Sequence, residues 1–91
     1  MAGAERFFIG GDMKQVIYYE TKLTFDDEDV HFWDEYKWNY ATQSRHFISK
    51  EKLILHRLVM NARPGDRVFF LTRNRFDFRK SNLRLDTRAE Q

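Results

Sequence analysis

The chain has 91 residues, enough for one hydrophobic core and too few for two domains. It contains no cysteine, which excludes a disulfide scaffold and a thiol nucleophile and fits a reducing compartment. The net charge of +2 is far below that of proteins that coat DNA, and no run of about 18 apolar residues predicts a membrane helix. We expect one soluble, cytoplasmic domain spanning residues 1–91, whose first segment, 1–11, is a leader without signal-peptide features.

Short strands are predicted in the N-terminal half. Residues 7–9 predict a short strand that ends at a glycine pair. Residues 16–25 are rich in β-branched and aromatic side chains and predict one longer strand. Residues 38–41 and 46–49 predict two more strands around a polar turn at 42–44.

Two helical segments are predicted between and after these strands. Asp26 or Asp27 is a suitable N-cap for a short amphipathic helix, and an acidic first turn suits the helix dipole. The apolar run in residues 50–61 is ambiguous, and its spacing favours a helix in the second half. Pro64 and Gly65 end that segment.

The C-terminal part predicts a strand, a turn and a helix. Residues 67–72 read as a strand, 73–75 as a polar turn and 80–85 as a short helix. The polar tail, 86–91, is expected to be frayed. The predicted fold class is α+β, a small single domain with short antiparallel strands.

Three segments of the second half form a motif when taken together. They are Leu-His-Arg-Leu at 55–58, a predicted strand Gly-Asp-Arg-Val-Phe-Phe-Leu at 65–71, and Arg-Lys-Ser-Asn-Leu-Arg-Leu at 79–85. Their joint spacing resembles the HNH nuclease motif of phage and homing endonucleases. The resemblance covers residues 24–85, with the motif core at 53–85. It implies a ββα arrangement at the C-terminal end of the domain.

The resemblance also implies that the catalytic residues are replaced. Phe69 stands where the family has a metal-binding Asp, Phe70 where it has the general-base His, and Phe78 where a loop Asn orients that His. Only Asn82, at the second metal-ligand position, is kept. A phenyl ring neither coordinates a hard cation nor accepts a proton. We therefore expect no bound metal, no other cofactor and no hydrolysis by the family's mechanism.

The three histidines are expected to be structural or solvent-facing residues. No pair of them has the spacing of a helical zinc site. One enzymatic alternative stays open, in which His56 works with Asp66 or Asp77 in a rearranged nuclease site.

Charge is unevenly distributed along the chain. Residues 1–62 hold 8 Lys and Arg against 10 Asp and Glu, a net −2, whereas residues 63–91 hold 8 against 4, a net +4. Arginines interleaved with phenylalanines are typical of nucleic-acid surfaces, and equally of a solvated basic face over an aromatic core. The candidate nucleic-acid-binding residues are Arg73, Arg75, Arg79, Lys80 and Arg84.

The phenylalanines are candidates for a protein-binding site. Phe69 and Phe70 are neighbours on a strand, so their side chains point to opposite faces. A ring that Phe76 or Phe78 covers belongs to the core, whereas an exposed ring surrounded by arginines resembles a protein-binding hot spot. The candidate protein-binding residues are Phe69, Phe70, Phe76 and Phe78.

Three functions are compatible with the sequence. The preferred one is a non-catalytic HNH-like binding protein, a small phage-type regulator or inhibitor of a host protein that processes or guards nucleic acid. The alternatives are a nucleic-acid-binding module with weak, salt-sensitive DNA binding and a divergent metal-dependent nuclease. The acidic run at 26–29, with Asp34 and Glu35, is either a solvated helix-capping cluster, the favoured interpretation, or a DNA-mimicking patch.

Overall fold

The computed structural model describes residues 4–9 and 13–87. In these ranges the chain forms seven short antiparallel strands, two α-helices and two 3-10 turns. The predicted α+β class is confirmed. The glycine turn at 10–11 and the tail from residue 88 lie outside the described residues. No helix in the described ranges is long and apolar enough to cross a membrane.

The N-terminal sheet contains three strands, β1 (Ala4–Ile9), β2 (Met13–Tyr18) and β3 (Thr21–Asp26), in that spatial order. The strand predicted at 7–9 is confirmed. The single strand predicted at 16–25 is wrong, because the chain reverses at Tyr19 and Glu20. Tyr19 has φ 57°, a region that favours glycine, so this turn has no composition signal in the sequence.

The middle of the chain follows the prediction closely. A 3-10 turn at Asp27–Asp29 leads into helix α1 (His31–Glu35), and β4 (Trp38–Ala41) pairs with β5 (His46–Ser49). The two strands have the predicted bounds. The prediction of Asp26 or Asp27 as the helix N-cap is wrong, because Val30 is the N-cap of α1. Asp26 occupies the N-cap position of the 3-10 turn, and its side chain makes no cap hydrogen bond.

The C-terminal part begins with helix α2 (Leu55–Val59), as the apolar spacing predicted. Strand β6 (Arg67–Phe70) then pairs with β7 (Leu83–Asp86), and a 3-10 turn at Lys80–Asn82 precedes β7. The helix predicted at 80–85 is therefore wrong. Leu83 is buried and Arg84 exposed, the alternation of a half-buried strand. In the described residues the helix precedes the β6–β7 hairpin, and the ββα arrangement is not confirmed.

One hydrophobic core joins these elements. Phe25 and Phe78, both fully buried, stack with ring centroids 5.2 Å apart. The segment around Phe78 also completes the edge of β3, since Thr24 N–H donates to the Phe76 carbonyl and Phe78 N–H to the Thr24 carbonyl. The other buried apolar residues are Val16, Leu23, Val30, Trp38, Phe47, Leu55, Val59 and Leu83. The core thus fixes the loop between β6 and β7 against the N-terminal sheet.

Candidate functional site

Phe70 fills the space between α2 and β6. Its ring lies 5.1 Å from the His56 ring and 5.7 Å from the Phe78 ring, measured between centroids. The Arg75 guanidinium carbon lies 5.0 Å from the Phe70 centroid, in a cation–π arrangement. Phe70 is half-buried. The position that the resemblance assigns to the general base is therefore occupied by a packed aromatic ring.

Phe76 and Phe78 pack inward. Phe78 is 1% exposed and belongs to the core. Phe76 is half-buried and lies against Tyr40 and Phe47, with centroid distances of 5.6 and 6.3 Å. Among the four candidate protein-binding phenylalanines, Phe78 therefore has no surface to offer a partner in this structure.

Phe69 points the other way, toward solvent. It is 41% exposed, and Leu71 beyond it is 57% exposed. Phe69 pairs with Arg84 across the hairpin, and Arg67 pairs with Asp86. We call these five residues the outer face of the hairpin. Leu71 is not among the residues predicted to bind a protein, although its two-residue spacing from Phe69 is a signal present in the sequence.

Asn82 ties the loop between the two strands together. Its side-chain Nδ2 donates to the carbonyls of Asn74 and Asp77 at 3.2 and 3.1 Å, and its Oδ1 accepts the Thr72 N–H at 3.2 Å. The residue is buried. The amide oxygen at the position that the resemblance assigns to a metal ligand is thus engaged by the backbone.

Asp77 is occupied by its neighbour Arg79. Asp77 Oδ1 accepts the Arg79 Nε–H at 2.9 Å, and Oδ2 accepts the guanidinium Nη2 at 2.7 Å. Burial raises the pKa of Asp77, but the hydrogen bonds and charge of Arg79 outweigh it and hold the pKa below its usual value. In this bidentate ion pair the charges of Asp77 and Arg79 compensate each other within the fold.

Lys80 is bound to the acidic segment. Its backbone N–H donates to Asp26 Oδ2 at 2.9 Å, and its Nζ lies 2.6 Å from Asp29 Oδ2 and 3.3 Å from Glu28 Oε2. Oxygens of these three carboxylates lie within 4.8 Å of one another. Burial lowers the pKa of Lys80, but Asp29 and then Glu28 hold it above its usual value. The Lys80 ammonium partly neutralises this cluster of carboxylates.

The other three candidate nucleic-acid-binding residues differ in how many contacts their side chains make within the chain. Arg75 donates from Nε and Nη2 to the Arg45 carbonyl at 3.3 and 3.1 Å, which joins the loop to the β4–β5 turn. Arg84 pairs with Asp86 at 2.9 Å. The exposed Arg73 side chain makes no hydrogen bond or ion pair within the described part of the chain. Of the five predicted nucleic-acid-binding residues, three are thus in ion pairs.

His56 is buried beside Phe70, and its Nδ1 has no hydrogen-bond partner among the described residues. Burial, followed by the charges of His46, Arg75 and Arg57, lowers the pKa of His56 to about 4. No hydrogen bond joins His56 to Asp66 or Asp77 in the described ranges. An imidazole in this setting is a weak base and has no carboxylate to orient it.

Comparisons with protein-family models, with curated proteins and with solved structures found no match to this chain. The HNH resemblance therefore rests on the identity and spacing of the residues alone.

Proposed function

We propose that this protein is a non-catalytic, HNH-like binding domain that acts by binding another protein through the outer face of its hairpin. The observation that carries the proposal is the exposure of two large apolar side chains, Phe69 on β6 and Leu71 directly after the strand ends. An exposed apolar patch rimmed by polar residues marks an interaction site, and arginine is enriched in protein-binding hot spots.

The side chains that a nuclease of this family would need support a non-catalytic role. Both oxygens of Asp77 accept hydrogen bonds from Arg79, and the amide of Asn82 is consumed by the loop backbone. His56 is too weak a base at neutral pH and lies behind Phe70. These contacts favour binding over hydrolysis by the rearranged site.

The ion pairs that the basic residues form within the chain favour a protein over a nucleic acid as partner. Arg79 and Lys80 neutralise carboxylates of the same chain, so they are not free to hold phosphates. The biological role that we propose is that of a small phage-type regulator or inhibitor. Its partner would be a host protein that processes or guards nucleic acid, which follows from the HNH resemblance and the small size.

One observation favours the second candidate function, a nucleic-acid-binding module. Arg67, Arg73 and the Phe69 ring are all exposed, and an exposed ring can stack on a base while guanidinium groups contact phosphates. With so few free cations, such binding would be weak and salt-sensitive.

A pull-down from bacterial lysate tests the proposal, with and without nuclease treatment. The baits are the wild-type protein, a Phe69→Asp variant and, as a matched control, Tyr19→Asp, since Tyr19 is 68% exposed in the turn between β2 and β3. We expect a protein that survives nuclease treatment and is lost only with Phe69→Asp. Recovery of nucleic acid alone would support the second candidate, and a partner insensitive to Phe69 would contradict the proposed surface.

A further inference from the structure

The outer face of the hairpin has a chemistry that specifies its partner. We propose that the outer face binds an acidic segment of a partner protein, in which apolar side chains alternate with carboxylates. This inference rests on the proposed function. The apolar side chains of the partner segment pack on Phe69 and Leu71. The carboxylates lie beside the three exposed arginines, Arg67, Arg73 and Arg84.

The spacing along β6 suits one short segment. Arg67 and Phe69 project from the same side of β6, because side chains alternate along a strand, and the exposed Leu71 follows directly after the strand ends. At about 3.3 Å per residue, the stretch from Arg67 to Leu71 covers about 13 Å, and the two apolar groups lie about 7 Å apart. Side chains four residues apart on a helix are separated by about 6 Å along its axis. One amphipathic helix of two to three turns therefore covers the face.

The charge of the face selects an anionic segment. Arg67 and Arg84 flank Phe69, and Arg73 follows two residues after Leu71. The outer face holds Arg67, Arg84 and the single carboxylate Asp86, a net +1, and the neighbouring Arg73 raises the local net charge to +2. Carboxylates of a partner would complete these ion pairs, whereas lysines would be repelled.

Leu71 distinguishes a protein from a nucleic acid. It is the most exposed apolar residue of the hairpin, and an aliphatic side chain cannot stack on a base as a ring does. Its burial is favourable only against another apolar surface. A second copy of this chain is a poor occupant, because its Glu28 and Asp29 carboxylates already pair with the Lys80 ammonium and its Asp26 carboxylate accepts the Lys80 backbone N–H.

The test uses isotope-labelled full-length protein and three synthetic peptides of equal length. All three carry the same leucines at four-residue spacing, and their flanking residues are all Glu, all Gln or all Lys. We expect the Glu peptide to shift the backbone amide resonances of residues 67–71 and 83–86, and high salt to remove most of this effect. The Gln peptide should bind more weakly, and the Lys peptide should leave the resonances unchanged.

Charge reversal supplies the sharper arm of the experiment. An Arg67→Glu/Arg73→Glu variant should bind the Glu peptide about fivefold more weakly or worse, and should gain affinity for the Lys peptide. Lys22→Glu/Lys37→Glu, a matched pair of exposed lysines outside the hairpin, should change neither affinity. Arg73→Glu alone, in a loop, gives the same sign of change if the double variant does not fold.

Three results would overturn the inference. They are equal binding of the Glu and Lys peptides, Glu-peptide shifts that fall outside the hairpin, and tighter binding of a single-stranded oligonucleotide at the same resonances. A Phe69-dependent protein in the pull-down together with any of these results would leave the proposed function standing. Loss of that protein as well would contradict both.

Discussion

At the scale of the residue, Asn82 shows how a position with catalytic associations can serve structure. Its three hydrogen bonds close the loop between β6 and β7, because they join Thr72, Asn74 and Asp77 to a point beside β7. Each of these backbone groups would otherwise need another partner, since buried polar groups that stay unpaired are costly. Asn82 is thus a central support of the candidate site.

Replacing Asn82 by Ala should destabilise the protein by about 2–3 kcal/mol, because it removes one buried hydrogen bond, to the Asp77 carbonyl, and two part-buried ones. The measurement is urea-induced unfolding followed by tryptophan fluorescence. Asn39→Ala is the matched control, since Asn39 is exposed on β4 and should change the free energy of unfolding by less than about 0.5 kcal/mol. Equal effects of the two substitutions would show that the Asn82 hydrogen bonds contribute little.

At the scale of the element, helix α2 packs on β6 through the His56–Phe70 contact. This contact places an imidazole where its charged form is disfavoured by burial and by neighbouring cations. The lowered pKa makes the packing of α2 depend on pH.

The stability of the protein should fall as the pH falls from about 6.5 to about 4. In this window the unfolded His56, with the ordinary value of 6.5, binds a proton that the folded residue, with a pKa of about 4, does not. Between pH 7.5 and 4.5 we expect a loss of roughly 2 kcal/mol from this group in urea unfolding. His46, whose pKa is lowered by burial and then by Arg75, adds in the same direction.

A His56→Gln variant should have a flatter pH dependence, whatever its stability at neutral pH. His31→Gln, which replaces an exposed histidine, should retain the wild-type slope. Asp77 also has a lowered pKa, but its effect falls at more acidic pH and does not enter this window. An unchanged slope in His56→Gln would assign the pH dependence to other groups.

The sequence predicted elements wherever local signals and tertiary packing agree. The bounds of β4 and β5 are correct because alternating side chains flank a polar turn. The segment 80–85 was misassigned because its local pattern suits a short helix, whereas Leu83 is buried only through pairing with β6. Asn82 and Asp77 could be identified as candidates from the sequence. Their hydrogen-bond partners could not be predicted, because these depend on how the loop folds.

At the scale of the whole molecule, a few contacts join segments that are far apart in the sequence. Lys80 binds Asp29 and Glu28, about fifty positions earlier. Arg75 reaches the Arg45 carbonyl, and residues 76–78 pair with Thr24. The basic C-terminal part is thus held against the acidic N-terminal part, which leaves the outer face of the hairpin as the more basic surface.

Lys80→Met should destabilise the protein by about 1–2 kcal/mol, because the buried Asp29 carboxylate loses its cation, an effect reduced by the partial exposure of Lys80. The measurement is the free energy of unfolding in urea. Adding Asp29→Asn should restore part of the loss, and Lys37→Met, at an exposed lysine, is the control. A double variant less stable than Lys80→Met would contradict the charge explanation.

The pairing of residues 76–78 with β3 has a consequence for the time at which the protein can fold. On the ribosome, β2 and β3 emerge early, but the backbone of Thr24 finds its partners only after residue 78 has left the exit tunnel. Until then β3 is an open edge strand, and Phe25 lacks the ring that stacks on it. The nascent chain therefore completes its core only after synthesis has passed the β6–β7 loop, and a chain stalled before that loop would present an aggregation-prone edge.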